Sequence, residues 1–277
     1  NQEGTCGMTF IAKPKISHPS LPKNTLGLTT RDYEGAISTL CAGCGHDSVT
    51  AALIQAVFEL DIEPHMLAKM SGIGCSSRLP GYVKAYGFNG VHGRALTLAT
   101  GVKVARPELT VIAVGGDGDG LAIGGNHLIH AARRNMDMLV VLVNNFIYGM
   151  TGGQNAPTTP LTARSSTMPF GNFEAPFNLP HLAASSGATY VARWTCLHIR
   201  RLTKTFGEAL HRKGFRFDNL MYATYGKPVW PILPIILGIG GLLGTMCGFG
   251  LGCLVELADK TFHNPDEIMK QLNVPLI

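Results

Sequence analysis

The stretch from Thr110 to Met150 constrains this chain most. A β-branched apolar run (Thr110–Val114) breaks at a glycine cluster that carries two carboxylates, Asp117 and Asp119. A helix-like segment, Ile123 to Arg134, leads into a second buried-strand run, Met138–Val143, which ends in Asn144 and Asn145. Strand, glycine-rich turn, helix and strand form the order of a βαβ unit, which needs a parallel sheet. The sequence therefore predicts an α/β fold with a mostly parallel sheet and flanking helices. Ligands of such sheets gather at the carboxyl ends of the strands, where the Asp cluster and the Asn pair both fall.

The glycine cluster is not a dinucleotide fingerprint. In that fingerprint glycine amides and a helix N-terminus receive the pyrophosphate directly. Two carboxylates in the turn repel a diphosphate unless a divalent cation lies between them. An Asp on one loop and an Asn on the next offer hard oxygens to Mg²⁺, which also takes carbonyls, water and phosphate. Alternatively, Asp117 and Asp119 merely make a turn and Asn144 and Asn145 cap a strand. Spacing alone leaves both readings open.

Gly116-Asp117-Gly118, then the 25 residues 119–143, then Asn144-Asn145, is similar to the motif shared by thiamine diphosphate enzymes. That resemblance implies a thiamine diphosphate-binding fold with Mg²⁺ on the side chains of Asp117 and Asn145 and the carbonyl of Ile147. It further implies that Gly118, Asp119, Gly149 and Met150 contact the diphosphate or its surroundings.

Composition narrows the remaining classes. Charged residues make up 15% and glycines number 34, so much of the chain is expected in sheet, turn or partner contact. A net charge of +5 spread over scattered basic residues gives no case for nucleic-acid binding. Seven cysteines without a signal-peptide pattern point away from a secreted disulfide framework and towards a reducing, cytoplasmic setting. Residues 1–30 show no sustained period and read as an arm lying on a partner or on the domain surface. They lack a targeting pattern.

Cys41-Ala-Gly-Cys44-Gly-His46-Asp47 precedes a helical segment, Val49 to Leu60. A dithiol at a helix start, a zinc site and an iron–sulfur cluster all suit this turn. Cys75, on a second glycine-rich turn (Ser71 to Ser77), favours a metal or cluster over a redox pair.

The two cysteine turns closely resemble the β subunit of 2-oxoacid:ferredoxin oxidoreductases. Tyr148–Gln154 and Pro157-Thr-Thr-Pro160 match the 2-oxoglutarate branch best, and the resemblance runs from about 19 to about 217. It implies a [4Fe-4S] cluster on Cys41, Cys44 and Cys75, and cofactor contacts from Ile73, Gly74, Cys75 and Ser76. His92 opens a small-residue helix, Ala95 to Ala105; a lone His there is commonly a cap, but the family position donates to the diphosphate. Tyr148 to Pro180 is too long for a simple connection and is read as a wall over the thiazolium end and a partner-facing surface. Leu179–Ala184, Thr189–Ala192 and a basic helix, Leu197–Lys213, then resume the alternation.

The family pattern fails after residue 217. Relatives end on a Cys-Pro turn that completes the cluster, where this chain has Tyr222-Ala223. A three-cysteine cluster, use of Cys196 and absence of a cluster all stay open. The chain thus divides into a cofactor domain over 1–217 with its N-terminal arm, and an atypical tail over 218–277. Val229 to Val255 contains no charged residue, long enough for a bilayer span at about 1.5 Å per residue. Gly240, Gly244, Gly248 and Gly252 give it a smooth face, as in transmembrane packing. The alternative is a buried core helix. Residues 228–277 resemble the last transmembrane segment of polysaccharide chain-length determinant (Wzz-type) proteins, which implies membrane association through 229–255. A natural fusion, an assembled chimera and a misjoined reading are each compatible with the join.

The family resemblance implies oxidative decarboxylation of a 2-oxoacid, 2-oxoglutarate foremost, to an acyl-coenzyme A with electrons passed to ferredoxin. It implies an α subunit, in some relatives fused to γ, as partner and as source of the acid that activates the aminopyrimidine. No catalytic acid or base is expected in this chain. Two competing readings are a membrane-anchored assembly protein defined by the tail, and a thiamine diphosphate decarboxylase without electron transfer.

Overall fold

The computed structural model describes residues 20–221. Among them β1 is Leu67–Ser71, β2 Tyr86–Asn89, β3 Thr110–Gly116, β4 Met138–Asn144, β5 Ile147–Tyr148, β6 Gln154–Asn155, β7 Tyr190–Thr195 and β8 Phe215–Met221. The α-helices are α1 His46–Glu59, α2 Leu79–Tyr82, α3 Ala95–Ala105, α4 Gly125–Arg133, α5 Leu179–Ser185 and α6 Ile199–His211. Six strands form one sheet in the order β2-β1-β3-β4-β8-β7, and every pairing in it is parallel. The predicted α/β fold is therefore present.

Period-2 alternation divides the core into two layers. Ile112, Val114, Leu139, Val141 and Val143 pack on one face with α1 and α6, around Leu53, Leu202 and Phe206. Val111, Ala113, Met138, Val140 and Leu142 pack on the other with α3, α4 and α5, around Leu96, Leu128 and Ala183. Burial on both faces explains the near-continuous apolar runs of β3 and β4.

The chain runs from β1 outwards to β2, then returns past β1 to β3. That reversal creates the crevice at strand carboxyl ends where ligands of doubly wound sheets bind. Ser71 pairs with Val114 and Gly116 with Val143, so β1, β3 and β4 end side by side there.

Boundaries differ from expectation in instructive ways. β3 runs on to Gly116 rather than stopping at Val114, because glycine continues a strand without adding to the apolar pattern. The turn after it is a π-helix, Asp117–Ile123, and the α-helix proper starts only at Gly125. Such wide turns are rare and are frequent at functional sites. Among the described residues no helix is long and apolar enough to cross a membrane. The apolar stretch 229–255, the Tyr222-Ala223 turn and most of the N-terminal arm lie outside the described residues.

Candidate cofactor site

A cavity of about 170 Å³ opens at the ends of β1, β3 and β4. Ile73, Gly74, Cys75 and Ser76 line it from the first of these turns, with His92 beside them. Asp117, Gly118 and Asp119 line it from the π-helix, and Asn145, Ile147, Gly149 and Met150 from the segment after β4. All twelve residues expected to serve thiamine diphosphate or Mg²⁺ thus reach one cavity. Gly116, Tyr148 and Thr151 line it as well and were not singled out as contacts.

Asp117 is 1% exposed. Its Oδ1 accepts from the Asn145 backbone N–H at 3.4 Å, and its Oδ2 accepts from the Thr158 hydroxyl. Burial pushes its carboxyl up to about 6 despite these donors. The Asn145 carboxamide terminus lies 2.8 Å from Asp117 Oδ1 and 2.7 Å from the Ile147 carbonyl oxygen. Two arrangements satisfy this contact. Either the amide NH₂ points inward and donates to both oxygens, or its oxygen points inward and a cation joins all three. Adjacent oxygens around octahedral Mg²⁺ stand about 3 Å apart, given metal–oxygen bonds of 2.0–2.1 Å. A carboxylate, a carboxamide and a carbonyl at this spacing fit that ion.

The backbone between these groups is bent to suit. Phe146 takes φ 64°, the left-handed region that a bulky residue seldom enters. Asn144 Oδ1 holds its N–H at 3.1 Å, while the Thr159 hydroxyl donates to its carbonyl. The long segment that follows β4 is thus an ordered wall. Buried Asn172 donates to the carbonyls of Thr159 and Glu174 at 2.7 and 3.0 Å. The same segment leaves Phe170 and Phe173 exposed.

Asp119 acts differently from Asp117. Its Oδ1 accepts from the backbone N–H of Ile73 at 3.2 Å and of Gly93 at 2.6 Å, and lies 3.1 Å from His92 Nδ1. This carboxylate fastens the β1 turn to the His92 turn, and burial raises its pKa. A Cβ at Gly72 would collide with it, and one at Gly118 would collide with the Tyr148 ring. Asp119 therefore faces the surroundings of the cavity more than an occupant. His92 Nδ1 is also 3.2 Å from the Ile73 carbonyl, which leaves Nε2 as the ring nitrogen available to a ligand.

The cysteine turns meet beside this cavity. Cys41 is exposed, and Cys44 and Cys75 are half-buried. The Cys75 thiol is raised first by burial and then by Cys41 and Cys44, so the three sulfurs lie within electrostatic reach. Among the described residues no group of three or more His, Cys, Asp or Glu side chains is placed to hold a single metal ion. Iron–sulfur clusters take cysteine thiolates, and Cys41, Cys44 and Cys75 are the cysteines that these turns bring within reach of one another. Cys196 is buried in the apolar layer with Leu202 and Phe206, a setting for packing. Sequence reasoning missed His46, which is 3% exposed and held to about 4 by burial. It also missed Thr158, whose only signal was the Pro-Thr-Thr-Pro run.

Residues 72–217 match the family described as thiamine pyrophosphate enzyme, C-terminal TPP binding domain. The 2-oxoglutarate synthase subunit KorB of Methanocaldococcus jannaschii is 48% identical over 181 residues, covering 65% of this chain and 67% of that protein. KorB of Archaeoglobus fulgidus is 50% identical over 175 residues, covering 63% and 65%. The structure of 2-oxoglutarate:ferredoxin oxidoreductase from Magnetococcus marinus with 2-oxoglutarate, coenzyme A and succinyl-CoA bound superposes with a TM-score of 0.69. It is 40% identical, and the match covers 70% of this chain and 67% of that one. The chain spans about two thirds of the length of these relatives. The family match ends at residue 217, and the likeness of 228–277 to chain-length determinant proteins gains no support from these matches.

Proposed function

We propose that this chain, which belongs to the thiamine pyrophosphate enzymes and within them to the KorB-type β subunits of 2-oxoacid:ferredoxin oxidoreductases, binds thiamine diphosphate through Mg²⁺ and serves oxidative decarboxylation of 2-oxoglutarate. The products are succinyl-coenzyme A, CO₂ and reduced ferredoxin, formed with an α subunit as partner. The observation that carries this reading is the convergence of the Asn145 carboxamide on Asp117 Oδ1 and the Ile147 carbonyl, at 2.8 and 2.7 Å. When bound, thiamine diphosphate supplies the carbon nucleophile and electron sink of the reaction.

The residues of this chain bind and orient. Asp117, Asn145 and the Ile147 carbonyl hold Mg²⁺, and Thr158 fixes the Asp117 carboxylate for it. Gly118 gives the close approach that Tyr148 and a diphosphate both need. Ile73, Gly74, Cys75, Ser76, Gly149 and Met150 enclose the cofactor, and Asp119 keeps His92 turned with Nε2 towards it. Cys41, Cys44 and Cys75 supply three ligands of a [4Fe-4S] cluster beside the cavity, which gives electrons an exit. Exposed Phe170 and Phe173 form part of the face that the α subunit covers.

Anaerobic iron and sulfide analysis of the chain with its α subunit, paired with 2-oxoglutarate-dependent ferredoxin reduction, tests this reading. About four irons per chain, the content of one such cluster, and reduction that requires coenzyme A are expected. Thiamine diphosphate binding without iron or ferredoxin reduction would withdraw the electron-transfer part.

A further inference from the structure

The buried imidazole of His46 touches both halves of the site. Its Nδ1 lies 3.4 Å from Cys44 Sγ, on the cysteine turn, and its Nε2 lies 3.1 Å from Ser76 Oγ, on the cavity wall. His46 is the first residue of α1, and its carbonyl accepts from the Thr50 hydroxyl at 3.0 Å. The ring is rigid and is enclosed on a helix, so the direction of one contact fixes the other. Cys44 does not line the cavity, whereas Ser76 does.

We propose that His46 is a positioning residue that ties the Ser76 hydroxyl in the cofactor cavity to Cys44 on the cysteine turn. A neutral imidazole carries one N–H and one lone pair. With the Nδ1–H directed to the Cys44 sulfur, Nε2 accepts the Ser76 proton. The Ser76 lone pairs thereby face the cavity. A change at Cys44 therefore reaches the cavity wall through two hydrogen bonds, with no movement of the sheet.

This inference rests on thiamine diphosphate occupying the cavity, and its test separates the two. Calorimetric titration of the full chain with thiamine diphosphate and Mg²⁺ is run on the wild type, C44A, H46Q and C44A combined with H46Q. The amide oxygen of a glutamine can accept the Ser76 proton in place of Nε2 and so keeps Ser76 while abandoning Cys44. C44A is expected to shift the affinity about three- to tenfold, the worth of one hydrogen bond. H46Q alone is expected to stay within about twofold of wild type, and C44A to have no further effect when added to it. If H46Q fails to fold, S76A replaces it, and C44A is again expected to add nothing. No effect of C44A in the wild type, or an equal effect in the H46Q background, overturns the proposal. Failure of the wild type to bind thiamine diphosphate would instead overturn the reading of the cavity itself.

Discussion

At the carboxyl ends of β1, β3 and β4, Asp117 and Asp119 are buried among donors, whereas Asp218 in β8 of the same sheet is buried among none. Asp117 takes bonds from Thr158 and Asn145, and Asp119 from Ile73 and Gly93. Asp218 is fully buried, and neither of its carboxylate oxygens has a hydrogen-bond partner. Burial raises all three, Asp218 to about 7 and Asp117 to about 6. A perturbed carboxyl alone therefore does not mark a site. Convergence of other oxygens or donors on it does.

The comparison breaks most visibly at Asp117. Asp117→Ala removes the only formal negative charge of the oxygen triad. Loss of a buried charge partner costs about 4 kcal/mol, roughly a thousandfold in the Kd for thiamine diphosphate with Mg²⁺. In the wild type, the proton retained near pH 6 has to leave before a cation binds. Affinity is therefore expected to fall as pH drops below about 6, and titrations at pH 5, 6 and 7.5 check this.

Asp119→Ala should act on stability. It strands the buried N–H of Gly93 and the partly buried N–H of Ile73, at about 3 kcal/mol in urea unfolding. Asp119→Asn keeps an acceptor oxygen and should lose less. Equal losses from the two variants would show that the fastening of these turns does not depend on the acceptor.

Asp218→Asn should move the other way. The carboxyl sits at about 7 in the fold against an ordinary 3.8. Below about pH 4 both states keep the proton and no penalty arises. As pH rises from there the unfolded chain ionises first, so the native state loses stability until about pH 7, by about 4 kcal/mol in total. The amide also lacks partners, so the net gain of Asp218→Asn is about 2 kcal/mol at pH 8. It shrinks towards pH 4. A pH-independent gain would mean that repacking, not ionisation, is its source. The smallest effect is expected from Thr158→Val, at about 1 kcal/mol or fivefold in cofactor affinity.

The same contrast explains what could be read from the chain. Asp117 and Asn145 are legible because metal ligands need fixed residue types on successive strand ends, and the apolar runs before them place those ends. His92 is legible only through its neighbourhood, since a histidine before a helix caps as readily as it binds. Thr158 arrives from a loop whose irregular backbone has no period, so nothing local says that its hydroxyl turns to Asp117. His46 lies beside a cysteine motif that drew attention to sulfur instead. Asp218 sits in Arg216-Phe-Asp-Asn-Leu, where alternating polar residues suggest a solvated face; α6 covers that face instead. Strand ends missed by two residues at Gly115 and Gly116 reflect glycine, which adds no apolar signal.

The most direct measurement is the Kd of thiamine diphosphate in the presence of Mg²⁺ and in the presence of excess chelator, for the wild type and Asp117→Ala. Wild-type binding that weakens at least a hundredfold on chelation, and an Asp117→Ala variant that binds equally weakly in both, is the result predicted by an oxygen triad built for a cation. Binding of equal strength with and without Mg²⁺ would contradict it, and the Asn145 amide would then simply donate to Asp117 and Ile147.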